Sequence, residues 1–265
     1  MPIITKITAQ QRNDDRFNIF LDDGKGERFA FSVDQDVLLK FGLKKGKELD
    51  DLDLVEIEYG DDSKKAFNKA IEYLGYRMRS IKEIKDYLRK KEVDSAVIDE
   101  VIHKMKEYRY VDDLDFARAY VKTHWQTNGK GPNVLTQELF GKGIDRNTIE
   151  EALVQYDQAS QIEEAIKHAV KTIKKNKMVS STQSKQKVEQ TLLRKGFPFS
   201  VISIALEDLE LKKEEPEEWD ALIKQAEKAA NRYKNEAPYQ FKMKMKQYLY
   251  RKGFAIELID RYLEE

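Results

Sequence analysis

A short string recurs four times along the chain, and its spacing constrains the fold more than any other feature. The two clearest copies are Leu192–Phe197 (LLRKGF) and Leu249–Phe254 (LYRKGF). Leu139–Ile144 (LFGKGI) is a looser copy, and Leu88–Val93 (LRKKEV) has diverged furthest, with Glu92 at the position of the glycine. The first leucines of successive copies are 51, 53 and 57 positions apart. Periods of this size indicate tandem structural repeats.

Each copy carries the signals of a helix, a tight turn and a second helix. An apolar residue four positions before the first leucine predicts a helix with one buried face. The glycine predicts a left-handed turn at its C-terminus. The following apolar residue and an isoleucine five positions later have the spacing of a hydrophobic staple at the start of the second helix. Asp94 and Asp145 are expected to be N-caps of this helix in the first two copies. In the third copy Pro198 loses no hydrogen bond, because it lies near the helix start. The staple pairs are Val93 and Ile98, Ile144 and Ile149, Phe197 and Ile202, and Phe254 and Ile259.

A further amphipathic helix precedes each string, so we predict a mainly α protein with four three-helix repeats. Each repeat is too small to bury its apolar face well alone, and neighbouring repeats are therefore expected to stack and share a core. The stacked repeats would form an elongated array. The predicted repeats are 61–110, 111–157, 158–212 and 213–265.

Residues 1–60 differ from the rest of the chain. Alternating apolar residues predict short strands around Ile3–Ile7, Phe17–Leu21 and Phe29–Val33, with a turn at Asp22–Gly26. A small β-rich N-terminal domain therefore precedes the repeats. It either covers the apolar end of the first repeat or is a separate binding module, and we favour the cap because terminal units of repeat proteins are often atypical.

The composition excludes several classes of protein. The 265 residues include 48 basic and 48 acidic side chains, so the global charge favours neither a nucleic-acid nor a membrane partner. Cysteine is absent, which excludes disulfides, thiolate catalysis and cysteine metal sites. The N-terminus has no apolar run long enough for a signal peptide or a membrane span. We therefore expect a cytoplasmic protein with no membrane partner.

Positive charge is concentrated on the second helix of three repeats and the segments leading to it. Residues 158–212 carry 10 basic and 6 acidic side chains, whereas 111–157 carry 5 and 8. If the repeats stack in register, these helices would line one positive ridge that contacts a nucleic-acid backbone or an acidic protein surface. The alternative is that the lysines are solvated surface residues. The candidate residues are Arg77, Arg79, Lys82, Lys85 and Arg89; Lys174, Lys175, Lys185, Lys187, Arg194 and Lys195; and Lys242, Lys244, Lys246, Arg251 and Lys252.

No catalytic constellation is found in the sequence. His103, His124 and His168 lie in different repeats, and none has a second histidine or a fitting carboxylate at metal-ligand spacing. Asn128–Gly131 contains glycines but lacks the strand and helix context of a phosphate loop. The pair Asp112-Asp113 is better explained as a helix start than as a metal site. We predict a protein that is not an enzyme, with no catalytic residue, cofactor or metal.

One group of motifs resembles the RecX family, whose members regulate the RecA recombinase. The motifs are Tyr110-Val111-Asp112-Asp113, Phe116-Ala117-Arg118, Gly131-Pro132, Glu138-Leu139 and Lys142-Gly143-Ile144, in this order. The resemblance covers roughly residues 61–265, and the N-terminal segment looks like the extension of longer members. Shorter members have three repeats, so the fourth copy is a departure in length.

The resemblance implies a function in homologous recombination and DNA repair. Family members lie in the groove of the RecA–DNA filament, modulate and usually inhibit its ATPase and strand exchange, and promote its disassembly. The expected partners are therefore the RecA filament and single- or double-stranded DNA, the latter bound weakly through the DNA backbone. We expect the protein to be a monomer. Tyr110, Asp112, Phe116 and Gly143 would be scaffold residues. A DNA-binding transcription regulator with helix-turn-helix units and a protein-interaction scaffold remain alternatives.

Overall fold

A computed structural model describes residues 1–11, 13–209 and 214–264. Contacts divide the chain into two compact units. Unit 1 contains Met1–Phe116 and Lys142–Ile144, and unit 2 contains Ala117–Gly141 and Asp145–Glu265. The predicted boundary between the third and fourth repeats, at residues 212 and 213, lies outside the described residues.

The N-terminal domain in unit 1 is a three-stranded antiparallel sheet in the order β1-β2-β3. Ile4 pairs with Leu21, and Ile19 pairs with Ile7 on one side and Phe31 on the other. The predicted turn after β2 is held by the Asp22 carboxylate, which accepts from the N–H groups of Gly24 and Gly26 at 2.8 and 3.0 Å. The elements of this domain are β1 (Ile3–Gln10), β2 (Asn13–Asp22), β3 (Glu27–Asp34) and α1 (Gln35–Lys40).

One long helix, α2 (Asp51–Gly75), contributes to both apolar cores of unit 1. Ile57 packs with the sheet, whereas Ala66 and Ala70 pack with the first repeat. The buried carboxylate of Asp61 fixes the helix to the sheet, since it accepts from the Arg16 guanidinium and the backbone N–H of Asp34, both at 2.9 Å. The boundary predicted at residue 60 falls inside this helix.

The described residues confirm the mainly helical fold with four three-helix repeats after the sheet. The first repeat follows with α3 (Ile81–Lys90) and α4 (Ser95–Glu107). The second repeat has α5 (Asp113–Asn128), α6 (Pro132–Gly141) and α7 (Arg146–Leu153); the third has α8 (Gln158–Lys175), α9 (Ser181–Lys195) and α10 (Phe199–Asp208); and the fourth has α11 (Glu215–Tyr233), α12 (Pro238–Arg251) and α13 (Ile256–Glu264).

The local signals of the repeated string act as predicted. Gly196 ends α9 with φ at +89°, and Glu92 adopts φ of +60° at the corresponding position of the first repeat. That conformation costs a residue with a Cβ atom about 1–2 kcal/mol, so the first repeat carries strain that the others avoid. Asp94 accepts from the N–H of Ala96 at 2.8 Å, and Asp145 accepts from that of Thr148 at 3.1 Å. Both are N-caps, as the sequence predicts.

A recurring hydrogen bond joins the start of the second helix in one repeat to the end of the second helix in the next. In unit 1, the Ser80 hydroxyl donates to the carbonyl of Lys142 at 2.7 Å. In unit 2, the backbone N–H of Gly131 donates to the carbonyl of Lys195 at 2.8 Å, and the Ser180 hydroxyl donates to the carbonyl of Lys252. Each acceptor directly precedes the glycine of a repeated string. The string is therefore a junction between repeats as well as a helix terminus.

An acidic residue at the start of the next repeat strengthens two of these junctions. The backbone N–H of Ile81 donates to the Asp113 carboxylate at 2.9 Å, and that of Ser181 donates to the Glu218 carboxylate at 3.0 Å. Asp112 accepts from the N–H of Leu114 at 2.7 Å, which confirms that it starts a helix. These carboxylates satisfy backbone donors that helix termini leave free.

Candidate nucleic-acid interface

At least three of the five predicted basic residues of the first repeat are paired with carboxylates of unit 1. The Arg79 guanidinium lies 3.9 Å from the centre of the Tyr73 ring, a cation–π contact, and Lys82 lies against Gly143. Paired charges give a weaker external field than unpaired ones, so these ion pairs reduce the positive charge that this repeat offers to a partner. Its ion pairs are Arg77–Glu83 at 2.8 Å, Lys85–Asp99 at 2.7 Å and Arg89–Asp86 at 2.9 Å.

In the fourth repeat, two of the five predicted basic residues have a carboxylate partner. Lys244 pairs with Glu236 and Lys246 pairs with Asp260. The ammonium of Lys252 lies 5.4 Å from the centre of the Tyr248 ring. Lys242 lines a pocket that also contains the Glu236 side chain, and Arg251 is exposed on α12.

The third repeat differs, because five of its basic residues line one groove with no acidic side chain among the described lining residues. Helices α8 and α9 form the walls of this groove, whose volume is about 480 Å³. Lys174 and Lys185, also predicted, lie on the same helices but outside the groove lining. No Asp or Glu side chain is found among the described lining residues. The α8–α9 groove is lined by His168, Lys171, Thr172, Lys175, Asn176, Lys187, Gln190, Thr191, Arg194 and Lys195.

No carboxylate compensates the cations of the α8–α9 groove in the described part of the chain. The Lys187 ammonium donates to the Asn176 side-chain oxygen at 2.8 Å, and the Lys195 ammonium donates to the Asn128 carbonyl at 2.9 Å. Across the described part of the chain, Lys171, Lys175 and Arg194 have no carboxylate partner. The carboxylate of Glu164, also on α8, is paired with Lys167 at 2.7 Å.

His168 closes one end of the groove as a neutral side chain. Its Nε2 lies 3.0 Å from the carbonyl oxygen of Gly129. Burial lowers the pKa of His168 and the nearby Lys195 lowers it further, although the bond to Gly129 acts in the opposite direction. The neutral ring therefore donates from Nε2, and the positive charge of the groove comes from lysine and arginine alone. The sequence indicated a structural or surface role for this histidine.

Lys171 is the groove residue that the sequence interpretation missed. The candidate set favoured the second helix of each repeat, whereas Lys171 lies in the middle of α8, the first helix of its repeat. Its spacing from Lys175 is i, i+4, which places both on one helix face. That spacing was the available signal, but only the packing of α8 on α9 shows that the face is opposite Lys187 and Arg194.

Within the described ranges, no three His, Asp or Glu side chains group in a way that could hold a metal ion. None of the described helices combines the length and the apolar character that a membrane span requires.

Comparisons with known proteins agree with this architecture. Residues 2–50 match the model of the regulatory protein RecX N-terminal domain, 66–105 the first RecX three-helix domain and 112–153 the second. The model of the third RecX three-helix domain matches twice, at 159–206 and 216–263. The fourth repeat is therefore a second copy of the third type.

Relatives match over the full length. The protein named "Regulatory protein RecX" from Bacillus licheniformis is 56% identical, covering 100% of this chain and 99% of that protein. The protein of the same name from Bacillus subtilis is 53% identical, again covering 100% and 99%. A crystal structure of regulatory protein RecX superposes with a TM-score of 0.70 at 34% identity, covering 78% of this chain and 100% of that one. The crystal structure of RecX from Lactobacillus salivarius gives 0.56 at 35% identity, covering 57% and 99%.

Proposed function

This chain belongs to the RecX family, and we propose that it binds the RecA–DNA filament and modulates RecA, most often by inhibiting its ATPase and strand exchange. The observation that carries this proposal is the full-length similarity to proteins named as RecX regulators, with every three-helix repeat matched by a RecX domain. The same similarity supports a proposed role in recombination and DNA repair.

The proposed mechanism depends on contact and involves no chemical step. Several repeats that each make weak contacts bind a polymer tightly, because the first contact raises the effective concentration of the next. A protein that bridges adjacent RecA subunits would oppose the shifts that accompany nucleotide hydrolysis. The α8–α9 groove supports this mechanism, since uncompensated cations attract the phosphates of filament DNA.

A direct DNA-binding regulator is the second candidate, and the basic groove is the observation in its favour. Base reading by a helix-turn-helix requires suitable side chains on the helix after the turn. In the third repeat that helix is α10, which contains neither lysine nor arginine. The positive charge lies before the turn instead, an arrangement that favours contact with the DNA backbone over base reading.

RecA ATPase on single-stranded DNA tests the proposal. We expect added protein to lower the rate at concentrations well below that of RecA, because the target is the filament. Binding to DNA without RecA is measured in parallel. An unchanged ATPase together with sequence-selective DNA binding would favour the transcription regulator, and an unchanged ATPase without DNA binding would favour the scaffold.

A further inference from the structure

We propose that the α8–α9 groove is a direct binding site for the phosphodiester backbone of nucleic acid. This deepens the proposed function and rests on it for the biological source of the ligand, the DNA of the RecA filament. The binding itself requires no RecA. It can therefore be tested separately.

The charge distribution is the first argument. Three cations of the groove, Lys171, Lys175 and Arg194, have no carboxylate partner in the described part of the chain. Lys187 and Lys195 donate to neutral oxygens at 2.8 and 2.9 Å, so no carboxylate of the described residues compensates either ammonium group. Repeats one and four contain basic residues on their second helices, but carboxylates neutralise many of them. An anion is therefore attracted to this groove more strongly than to the corresponding surfaces.

The spacing of the cations suits a run of phosphates. Lys171 and Lys175 are one helical turn apart, about 6 Å along α8. Lys187 and Arg194 are two turns apart, about 10 Å along α9. Neighbouring phosphates of a DNA strand lie farther apart than their axial rise of about 3.4 Å, because the strand also winds around the axis, so the groove can hold a short run of phosphates. Cations on both walls can then contact the same strand.

The polar lining favours a backbone ligand over bases or an acidic protein. Among the described lining residues there is no Phe, Tyr, Trp or aliphatic side chain, and the one aromatic ring, that of His168, is bonded to the Gly129 carbonyl. Bases bind single-strand sites by stacking on aromatic rings, and protein interfaces bury aromatic and apolar anchors at their centre. The hydroxyls of Thr172 and Thr191 donate to carbonyls of their own helices at 2.8 and 2.7 Å. The ligand is therefore recognised by charge, with no dependence on sequence.

The test compares two charge reversals on the same two helices. Lys175→Glu/Lys187→Glu alters the groove, and Lys174→Glu/Lys185→Glu makes the same charge change outside its lining. Fluorescence anisotropy measures binding of a labelled 20-nucleotide oligothymidine and of a 20-base-pair duplex at several salt concentrations. We expect the groove variant to bind both at least about tenfold more weakly, with a salt slope reduced by about one to two. The outer variant should stay within about threefold of wild type.

Several results would overturn the groove assignment. These are an equal loss of affinity in both variants, no loss in the groove variant, or no oligonucleotide binding by the wild-type protein at low salt. Unchanged oligonucleotide binding with lost binding to the RecA filament would assign the groove to an acidic protein surface. Loss of binding to only one of the two oligonucleotides would restrict the ligand to that form of DNA and overturn a shared backbone site.

Two further measurements keep the result interpretable. Circular dichroism and thermal melting show whether each variant is folded, and Lys175→Gln/Lys187→Gln, which removes charge without reversing it, should give a smaller loss in the same direction. If the groove binds DNA but the wild-type protein leaves RecA ATPase unchanged, the proposed function is wrong and the assignment of the groove as a DNA site still holds. Inhibition of RecA by a groove variant that has lost DNA binding would show that the site is not needed for the function.

Discussion

Replacing Gly131 with alanine is expected to destabilise unit 2 by about 3 kcal/mol or more. A Cβ atom at this position would lie 2.4 Å from the carbonyl carbon of Gly196 and 2.5 Å from the backbone nitrogen of Phe197. Backbone atoms cannot rotate away as a side chain can. The junction would have to separate, and the bonds from Gly131 and Asn133 to the last turn of α9, at 2.8 and 3.0 Å, would be strained or lost.

Urea unfolding followed by tryptophan fluorescence measures this effect, because Trp125 and Trp219 both lie in unit 2. Gly141→Ala is the matched control, since it lies at the other end of α6 and a Cβ atom there meets nothing within 4 Å. Alanine should leave stability unchanged or raise it by up to about 1 kcal/mol at that helical position. Equal unfolding midpoints for the two variants would contradict the close contact between the second and third repeats.

Replacing Glu83 with glutamine is expected to reduce the acid dependence of the stability of unit 1. Burial alone would raise the pKa of this carboxyl, but hydrogen bonds from Arg77, the Ser80 N–H and Lys142 outweigh it and lower the pKa to about 2. The three donors lie 2.8, 3.1 and 3.0 Å from the carboxylate. Glu83 therefore caps α3 and connects it to Lys142 of the second repeat.

The direction in which stability changes with pH follows from proton linkage. The pKa of Glu83 is lower in the folded than in the unfolded chain, so its contribution is complete above about pH 4.5 and decreases as the pH falls towards about 2. The full contribution is of order 3 kcal/mol at most. Glu83→Gln should therefore be less stable than wild type at pH 7, and its free energy of unfolding should change less between pH 5 and 3.

Amide hydrogen exchange of α3 and α4 measures this change, since it reports on unit 1 directly. Asp86→Asn is the control on the same helix. Its partner is Arg89 and both side chains are more than half exposed, so the pair should contribute less than about 1 kcal/mol. A Glu83→Gln protein with wild-type protection at pH 7 and the same acid profile would show that the carboxylate does not stabilise the junction.

Much of the fold could be predicted because its signals are local. The staple spacing, the capping residues Asp94 and Asp145, and the glycine turns act within a few positions, so the sequence places the helix ends correctly. The strain at Glu92 also follows from its place in the repeated string. In contrast, the Lys142 bond to Glu83 joins residues 59 positions apart, and no periodic pattern specifies it.

Contacts between residues distant in the sequence also determine the candidate site, and the sequence does not specify them. Charge counts predicted basic second helices in three repeats, but a count does not show which lysines meet a carboxylate. Lys85 is paired with Asp99 of the following helix, whereas Lys187 on α9 donates to the neutral side chain of Asn176 at the end of α8. The difference arises from tertiary packing, which also brings Lys171 into the groove.

Inhibition of RecA ATPase by the two charge-reversal proteins tests the central claim most directly, because it joins the proposed function to the groove. The account predicts that Lys175→Glu/Lys187→Glu requires about tenfold more protein than wild type for half inhibition, while Lys174→Glu/Lys185→Glu inhibits like wild type. Equal inhibition by both variants and the wild-type protein, with each variant shown to be folded, would contradict it.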